Sequence, residues 1–161
     1  MSVRDSDKDA PAGAAMKYTT HAAEETVALG RKLAPALKRG SMVLLRGDLG
    51  AGKTTLVKGI AEGFQAAEAD RVTSPTFTLI HEYRALEITL YHIDLYRIDT
   101  QRELDTLALD DLMDGSSILL IEWGEKFERF RRERDVEIAI EHRGGDERVV
   151  LFYPEQSEGS L

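Results

Sequence analysis

The sequence predicts an α/β fold, and three patterns carry that prediction. The apolar residues 42–45 are followed by a glycine-rich turn and then by apolar positions spaced as on a helix. A second continuous apolar run, residues 118–121, is typical of a central parallel strand, which is buried on both faces. Segments of alternating apolar and polar residues, 77–83 and 88–93, predict an antiparallel hairpin. Helices combined with strands of both kinds indicate an α/β domain.

Length and composition restrict the class of protein. The 161 residues suffice for one ordinary domain, and we expect that domain at residues 16–155, between a loose tail at 1–15 and a short tail at 156–161. The 29 acidic and 21 basic residues give a formal net charge of -8, which argues against a protein that binds nucleic acid with its own basic surface.

Two absences narrow the class further. The sequence has no cysteine, so disulfides and thiolate zinc sites are excluded, as suits a reducing cytosol. It has no apolar run long enough to span a bilayer, so we expect a soluble protein that does not act in a membrane.

The N-terminal half contains two predicted helices around the first strand. A helical stripe predicts a helix over residues 21–39, kinked at Pro35 and ended by Gly40. A second helix is expected from Gly52 to about residue 64. Gly59 within it costs about 1 kcal/mol relative to alanine, which indicates close packing against a neighbour or the ligand side.

The C-terminal half alternates between helices and strands. A capping box at residues 100–103 predicts a helix that stops at residues 114–115. The strand at 118–121 ends abruptly at Glu122, and a short helix with Phe127 and Phe130 follows. The segments that close the chain as a predicted hairpin are residues 136–141 and 148–153.

The glycine-rich turn, residues 47–54 with sequence GDLGAGKT, matches the pattern G-x4-G-K-[ST] in its strand–turn–helix context. Glycines let consecutive backbone N–H groups converge on one anion, and the helix that begins at Gly52 adds unpaired donors and the positive end of its dipole. Lys53 is placed to reach the β- and γ-phosphates, and the Thr54 hydroxyl is placed to ligate Mg²⁺. The pattern therefore predicts nucleotide binding.

Acidic residues end two predicted strands. We assign Glu122 to the metal or to the attacking water, because open α/β sheets place ligands at the carboxyl ends of strands; its alternative is a solvated loop residue. Asp94 could bind Mg²⁺ through water or orient the nucleophile; its alternative is a helix-capping or surface residue. Arg97 could stabilise the transition state as an arginine finger; more commonly, an arginine in such a place pairs with a carboxylate. Trp123 either walls the site or belongs to the core.

Three further motifs limit the ligand. Residues 74–76 (SPT) follow the loop helix where switch segments lie, with hydroxyls able to sense a γ-phosphate, although an ordinary proline turn has the same composition. His81 and Glu82 lack the second histidine of a zinc helix, so we discard zinc. No Asn-Lys-x-Asp motif supports guanine selectivity, so ATP is the expected nucleotide.

Four segments taken together closely resemble the TsaE (YjeE) family, bacterial P-loop ATPases required for threonylcarbamoyladenosine (t6A) modification of tRNA: residues 47–55 (GDLGAGKTT), 74–77 (SPTF), 92–97 (HIDLYR) and 121–123 (IEW). The resemblance covers residues 20–152. It implies a P-loop NTPase fold, with three layers α/β/α around a mixed central sheet, and ATP with Mg²⁺ as ligands. It also implies a cytoplasmic protein that acts with TsaD and TsaB and reaches tRNA only through them.

The resemblance also implies roles by position. Lys53, Asp94 and Glu122 would be catalytic, and Thr54 and Glu122 would ligate the metal. Thr55 and Trp123 would couple the site to its surroundings. Gly124 departs from the family, which often has a proline there. The residues expected to contact the nucleotide are Asp48, Leu49, Gly50, Ala51, Gly52, Lys53, Thr54 and Thr55.

Two other functions stay open at this level. A small-molecule kinase of the P-loop class would need a lid carrying arginines, and the basic residues at 129–132 could serve, although they resemble a solvated helix face. A non-hydrolysing, nucleotide-dependent scaffold would keep its function without Glu122. We expect slow intrinsic hydrolysis that depends on partners, because the sequence offers no obvious base in cis.

Overall fold

The computed structural model describes residues 15–154, so the two predicted tails lie outside the described residues except for Ala15. Seven strands form one sheet in the order β1-β7-β6-β2-β5-β4-β3. The central pairs β6/β2, β2/β5 and β5/β4 are parallel, and the pairs β1/β7, β6/β7 and β3/β4 are antiparallel. The strands are β1 Met16–Thr20, β2 Met42–Arg46, β3 Ile80–Arg84, β4 Thr89–Asp94, β5 Ser117–Glu122, β6 Val136–Gly144 and β7 Glu147–Tyr153.

Four α-helices and four 3-10 turns connect these strands. Among residues 15–154 no helix combines the length and the apolar character needed to cross a membrane. The helices are α1 Ala23–Leu33, α2 Lys53–Gly63, α3 Gln101–Thr106 and α4 Glu128–Glu133. The 3-10 turns are Ala34–Ala36, Ala69–Arg71, Leu109–Leu112 and Gly124–Lys126.

The sheet separates two apolar cores, and helices cover each of them, so the fold has three layers: helices, sheet and helices. Alternate residues of β2 point to opposite faces, so Val43 and Leu45 pack in the core under α1 and α2, whereas Met42 and Leu44 pack in the core with α3 and α4. The predicted α/β fold of three layers with a mixed central sheet is confirmed.

Helices α1 and α2 cross at two glycines. A Cβ on Gly30 would lie 2.5 Å from the Leu56 carbonyl oxygen, and a Cβ on Gly59 would clash with the Val27 carbonyl oxygen. Gly59 therefore serves close packing against a neighbouring helix, as predicted, and fixes the helix that follows the glycine-rich turn.

Two predicted helices end earlier than expected, and one strand of the structure was not predicted. The first helix ends at Leu33 and changes to the 3-10 turn at Ala34–Ala36 instead of kinking, because Pro35 lacks an N–H to continue the helical bonding. The helix opened by the capping box ends at Thr106, before Ala108 takes a left-handed φ of 49°. Strand β1 has no counterpart in the sequence prediction.

The strand predicted at 77–83 begins only at Ile80. Leu79 has a left-handed φ of 69° and donates its N–H to the Pro75 carbonyl oxygen at 2.6 Å, so residues 76–79 form a turn. Phe77 is consequently 80% exposed. The other predicted elements, including α2, the hairpin of β3 and β4, β5, α4 and the closing hairpin, are present with ends shifted by a few residues.

Candidate functional site

The glycine-rich loop leaves β2 at the carboxyl edge of the sheet. A Cβ on Gly47 would lie 2.7 Å from the Ile140 carbonyl oxygen, so this residue has to be glycine for the loop to pack against β6. Gly52, the cap of α2, has a left-handed φ of 109°. The backbone thus turns into a helix N-terminus, where unpaired N–H groups favour an anion.

The predicted nucleotide-contacting residues all lie on this loop and the first turn of α2. Asp48, Leu49 and Gly50 are exposed, and Gly52, Thr54 and Thr55 are partly exposed. Ala51 and Lys53 are buried. The solvent-facing tip of the loop is therefore accessible to a ligand, while Ala51 anchors it in the core.

The Lys53 ammonium is held at the inner side of the loop. Its Nζ donates to the Gly47 carbonyl oxygen at 2.5 Å and lies 3.5 Å from Glu122 Oε1. It also lies 4.5 Å from the centroid of the Trp123 ring, within cation–π distance. The structure thus brings the loop lysine and the acid at the end of β5 together, as the sequence predicted.

Glu122 projects toward the same face as the loop helix. It pairs in register with Leu45 of β2 and Asp94 of β4, and its side chain is almost fully buried. Its second oxygen, Oε2, accepts a short hydrogen bond from His92 Nε2. Burial alone raises the pKa of this carboxyl, but the His92 hydrogen bond and the Lys53 charge outweigh it, so the pKa of Glu122 lies below its ordinary value.

Asp94 is buried and holds the segment predicted to act as a switch. Its Oδ2 accepts a hydrogen bond from Thr76 Oγ1 at 3.0 Å, and its Oδ1 accepts from the Tyr96 N–H at 2.9 Å. Ser74 Oγ lies 2.7 Å from Thr76 Oγ1. A surface aspartate is excluded, because Asp94 is 2% exposed. Residues 74–76 are therefore tied to the strand that neighbours β5.

Two more predicted residues line the edge of this region. The Arg97 guanidinium stacks on Phe77 with its Cζ 4.4 Å from the ring centroid, so its described contact is aromatic and not a carboxylate. Trp123 is partly buried beneath Lys53 and lies 5.2 Å from the Tyr96 ring centroid. Trp123 also packs against the apolar core that contains Met42 and Leu44, so it contacts both Lys53 and that core.

A second group of charges lies on the opposite face of the sheet, and we name Arg46, Glu125, Arg134 and Glu137 the far-side cluster. Arg46 Nη1 lies 3.6 Å from Glu137 Oε2, and Arg46 Nε lies 4.0 Å from Glu125 Oε2. Arg134 Nε lies 3.3 Å from Glu137 Oε1. Burial raises the pKa of both carboxyls, and the arginines offset this effect only in part.

A cavity of about 630 Å³ lies along this opposite face, between the glycine-rich loop and β6. Arg46 and Glu137 form part of its floor, and Asp48 and Leu49 form one rim. This cavity therefore borders the glycine-rich loop on the face opposite Glu122.

The donor set fits a magnesium ion that is bound mainly through phosphate. Mg²⁺ is bound in such sites by one or two carboxylates together with substrate phosphates and waters. Among residues 15–154 no group of three or more His, Asp or Glu side chains is arranged to hold a metal alone. Glu122 Oε1 faces Lys53 at the loop, and Thr54 lies in the first turn of α2, which matches this sparse pattern.

Two residues of the site carry no role in the sequence prediction. His92, which contacts Glu122, could have been found from the alternation in β4, where it takes a core-facing position between Leu90 and Asp94. Arg148 of β7 lies against the loop, with its Nε 3.6 Å from the place of a Cβ on Gly52. No local signal marks Arg148, because its approach depends on the closing hairpin.

Comparisons with known proteins agree with this geometry. The family model for "Threonylcarbamoyl adenosine biosynthesis protein TsaE" matches residues 20–150. The chain is 40% identical over 137 residues to the tRNA threonylcarbamoyladenosine biosynthesis protein TsaE of Bacillus subtilis, covering 85% of this chain and 84% of that protein. It is also 40% identical over 128 residues to the protein of the same name in Haemophilus influenzae, covering 76% of this chain and 80% of that protein.

A solved structure shows the same fold. The crystal structure of YdiB from Bacillus subtilis superposes with a TM-score of 0.67 at 35% identity, covering 88% of this chain and 86% of that one. The region matched by the family model, residues 20–150, contains the glycine-rich loop, the Asp94 strand and the Glu122 strand. The chain therefore belongs to the TsaE family.

Proposed function

We propose that this chain binds ATP with Mg²⁺ and hydrolyses ATP to ADP and phosphate during t6A formation at position 37 of tRNAs that read codons beginning with adenine. The observation that carries the proposal is the 3.5 Å approach of Lys53 Nζ to Glu122 Oε1 at the inner side of the glycine-rich loop. A lysine from the start of α2 and an acid from the end of β5 converge there, as phosphoryl transfer requires. The names of the relatives supply the pathway.

Each residue has a defined task in this proposal. The N–H groups of the loop and the start of α2 hold the phosphates, and Lys53 exchanges the Gly47 carbonyl for phosphate oxygen. Thr54 and Glu122 hold Mg²⁺, which when bound neutralises charge on the phosphates. Asp94 orients the attacking water from the strand next to Glu122.

The partners follow from charge and family. A net charge of -8 disfavours direct binding of the tRNA phosphates, so we propose that the chain acts with TsaD and TsaB and meets tRNA only through them, in the cytoplasm. Residues 16–155 would be the whole ATPase domain. Hydrolysis would be slow without the partners.

The kinase alternative has less support from the contacts. Arg129 of α4 pairs with Asp110 and Glu133, and Arg132 pairs with Glu128. These arginines are engaged by carboxylates of this chain, which disfavours a lid that closes on phosphate.

The test is a reconstituted mixture that makes t6A on tRNA with TsaD and TsaB. Lys53→Ala should abolish ATP binding in calorimetry, whereas Glu122→Ala should bind ATP and lose hydrolysis by at least about 100-fold. Lys58→Ala, on the same helix, is the matched control and should behave as wild type.

Three results would contradict the proposal. Equal ATPase rates with and without the TsaD–TsaB pair would exclude dependence on partners. A phosphorylated metabolite instead of free phosphate would support the kinase. Full t6A formation by Glu122→Ala would support the scaffold.

A further inference from the structure

His92 is a polar residue in an apolar position. It lies in β4 between Leu90 and Asp94, is fully buried, and pairs in register with Leu120 of the core beneath α1 and α2. An aliphatic side chain would be the ordinary choice there, because burying an imidazole is costly unless its polar atoms are bonded. The presence of a histidine next to Glu122 therefore calls for a specific contact.

That contact is with one oxygen of Glu122. His92 Nε2 donates to Glu122 Oε2, while Oε1 of the same carboxylate lies 3.5 Å from Lys53 Nζ. The two oxygens thus have different neighbours: one is engaged from behind by β4, and the other faces the glycine-rich loop.

The other ring nitrogen serves no second partner. His92 Nδ1 is buried without a hydrogen-bond partner among the described residues. Nε2 is the nitrogen that contacts Glu122, and since Nδ1 has no partner among the described residues, the ring does not extend a longer hydrogen-bond network. The polar chemistry of His92 is directed at Glu122 alone.

We propose that His92 is a positioning residue, which fixes the Glu122 carboxylate by engaging Oε2 so that Oε1 stays directed at the loop for Mg²⁺. This inference rests on the proposed function, since it concerns the same metal. Partners behind a metal ligand commonly decide its orientation, and their loss costs about 10- to 100-fold in metal affinity or activity.

A second histidine provides a matched comparison. His81 of β3 pairs in register with His92 across the hairpin, but its Nδ1 lies 3.2 Å from the Tyr83 hydroxyl and its side chain is partly exposed. His81 therefore has the same residue type in the same hairpin without the contact to Glu122. Its substitution controls for general disturbance of the two strands.

The experiment measures ADP binding by calorimetry with and without Mg²⁺, for the full chain and three variants. We expect His92→Leu to lose about 10-fold in ADP affinity when Mg²⁺ is present and to change less than about twofold when it is absent. His92→Gln should stay within about threefold of wild type in both conditions, because its amide nitrogen can replace Nε2 as the donor. His81→Leu should match wild type.

The possible results distinguish a failure of the inference about His92 from a failure of the proposed function. If wild type binds no ADP, the proposed function fails. If wild type binds Mg²⁺·ADP, two results overturn only the role of His92. In the first, Mg²⁺ raises the ADP affinity of His92→Leu as much as that of wild type. In the second, His92→Leu loses the same ADP affinity with and without Mg²⁺. If His92→Gln loses as much as His92→Leu, the hydrogen bond is not the cause and the inference is again wrong.

Circular dichroism and thermal unfolding establish whether each variant folds. If His92→Leu does not fold, the comparison passes to His92→Gln and His92→Asn, because the shorter amide of asparagine cannot reach Oε2. A magnesium effect kept by glutamine and lost by asparagine supports the inference. Equal behaviour of the two overturns it.

Discussion

Two buried glutamates on opposite faces of the same sheet have opposite electrostatics. Glu122 is 4% exposed and Glu137 is 3% exposed, yet the pKa of Glu122 is lowered and that of Glu137 is raised. Glu122 receives a hydrogen bond from His92 and lies beside Lys53, whereas Glu137 relies on two arginines at 3.3 and 3.6 Å. Burial therefore does not decide the charge of a carboxyl; the placement of its donors does.

The difference separates a site for chemistry from an ion-pair network. A carboxylate that stays charged in a buried place is suited to hold a cation or orient water. The two glutamates of the far-side cluster form ion pairs with arginines and none with Lys53, and their raised pKa values mean that charge on them costs stability.

The largest effect is expected when the two glutamates are exchanged for glutamine. Glu122→Gln should lower the rate of ATP hydrolysis by at least about 100-fold, because it removes the charge that faces Lys53 and the metal. Glu137→Gln should leave the rate within about twofold of wild type, because its carboxyl lies on the other face. The hydrolysis rates of both variants are measured as phosphate release in the presence of TsaD and TsaB. Equal losses of rate would contradict the different roles of the two glutamates.

A smaller but clear effect is expected on stability when the central arginine of the far-side cluster is removed. Arg46→Met leaves Glu125 and Glu137 without their shared partner and should cost about 2 kcal/mol in the free energy of unfolding at pH 7. Urea unfolding measures this cost. The loss should shrink as the pH falls and the carboxyls take up protons, and a pH-independent loss would show that packing of the arginine is the cause.

The next smaller effect tests the hydrogen bond that links residues 74–76 to β4. Thr76→Val removes the hydroxyl that donates to Asp94 and should lower ATP turnover about 10-fold, with ADP affinity little changed. Thr78→Val, in the same turn and exposed, is the control. A fall in ADP affinity equal to the fall in turnover would contradict a role for Thr76 in orienting Asp94.

The smallest effect concerns the pH dependence of stability. The pKa of Glu125 is raised in the folded chain, so its burial costs stability above that pKa, and the cost disappears as the pH falls below the ordinary carboxyl value. Glu125→Gln should therefore raise the Tm by about 2 °C at pH 7 and by less at pH 4.

Glu122 should show the opposite sign. Its lowered pKa contributes stability that is present above the ordinary carboxyl value and is lost as the pH falls through the lowered pKa. Thermal unfolding of Glu122→Gln should therefore show a loss at pH 7 that narrows in acid. A gain at pH 7 would contradict the lowered pKa.

The parts predictable from sequence are those that local chemistry dictates. The strand at 42–46, the loop and α2 were predictable because glycine spacing and helical periodicity act over a few residues. Glu122 was predictable for the same reason, since a continuous apolar run ended at an acid. These local signals were enough to predict that Lys53 and Glu122 lie close together.

The rest depends on contacts between distant segments. Strand β1 forms by pairing with β7 near the other end of the chain, so its residues carry no decisive pattern. The alternation at 77–79 predicted a strand, but the Thr76–Asp94 hydrogen bond and the left-handed Leu79 turn the chain. His92 belongs to the segment 92–97 that resembles the family, but a role for its side chain became apparent only from its hydrogen bond to Glu122 in the structure.

Trp123 is the only tryptophan in the chain, and the Lys53 ammonium lies over its ring. Indole emission responds to a nearby positive charge, so departure of the lysine toward phosphate would change the fluorescence of the unlabelled protein. The molecule thus contains its own optical probe, in contact with the lysine that the proposed function assigns to the phosphates. Stopped-flow mixing could follow that arrival in real time, with no dye to disturb the loop.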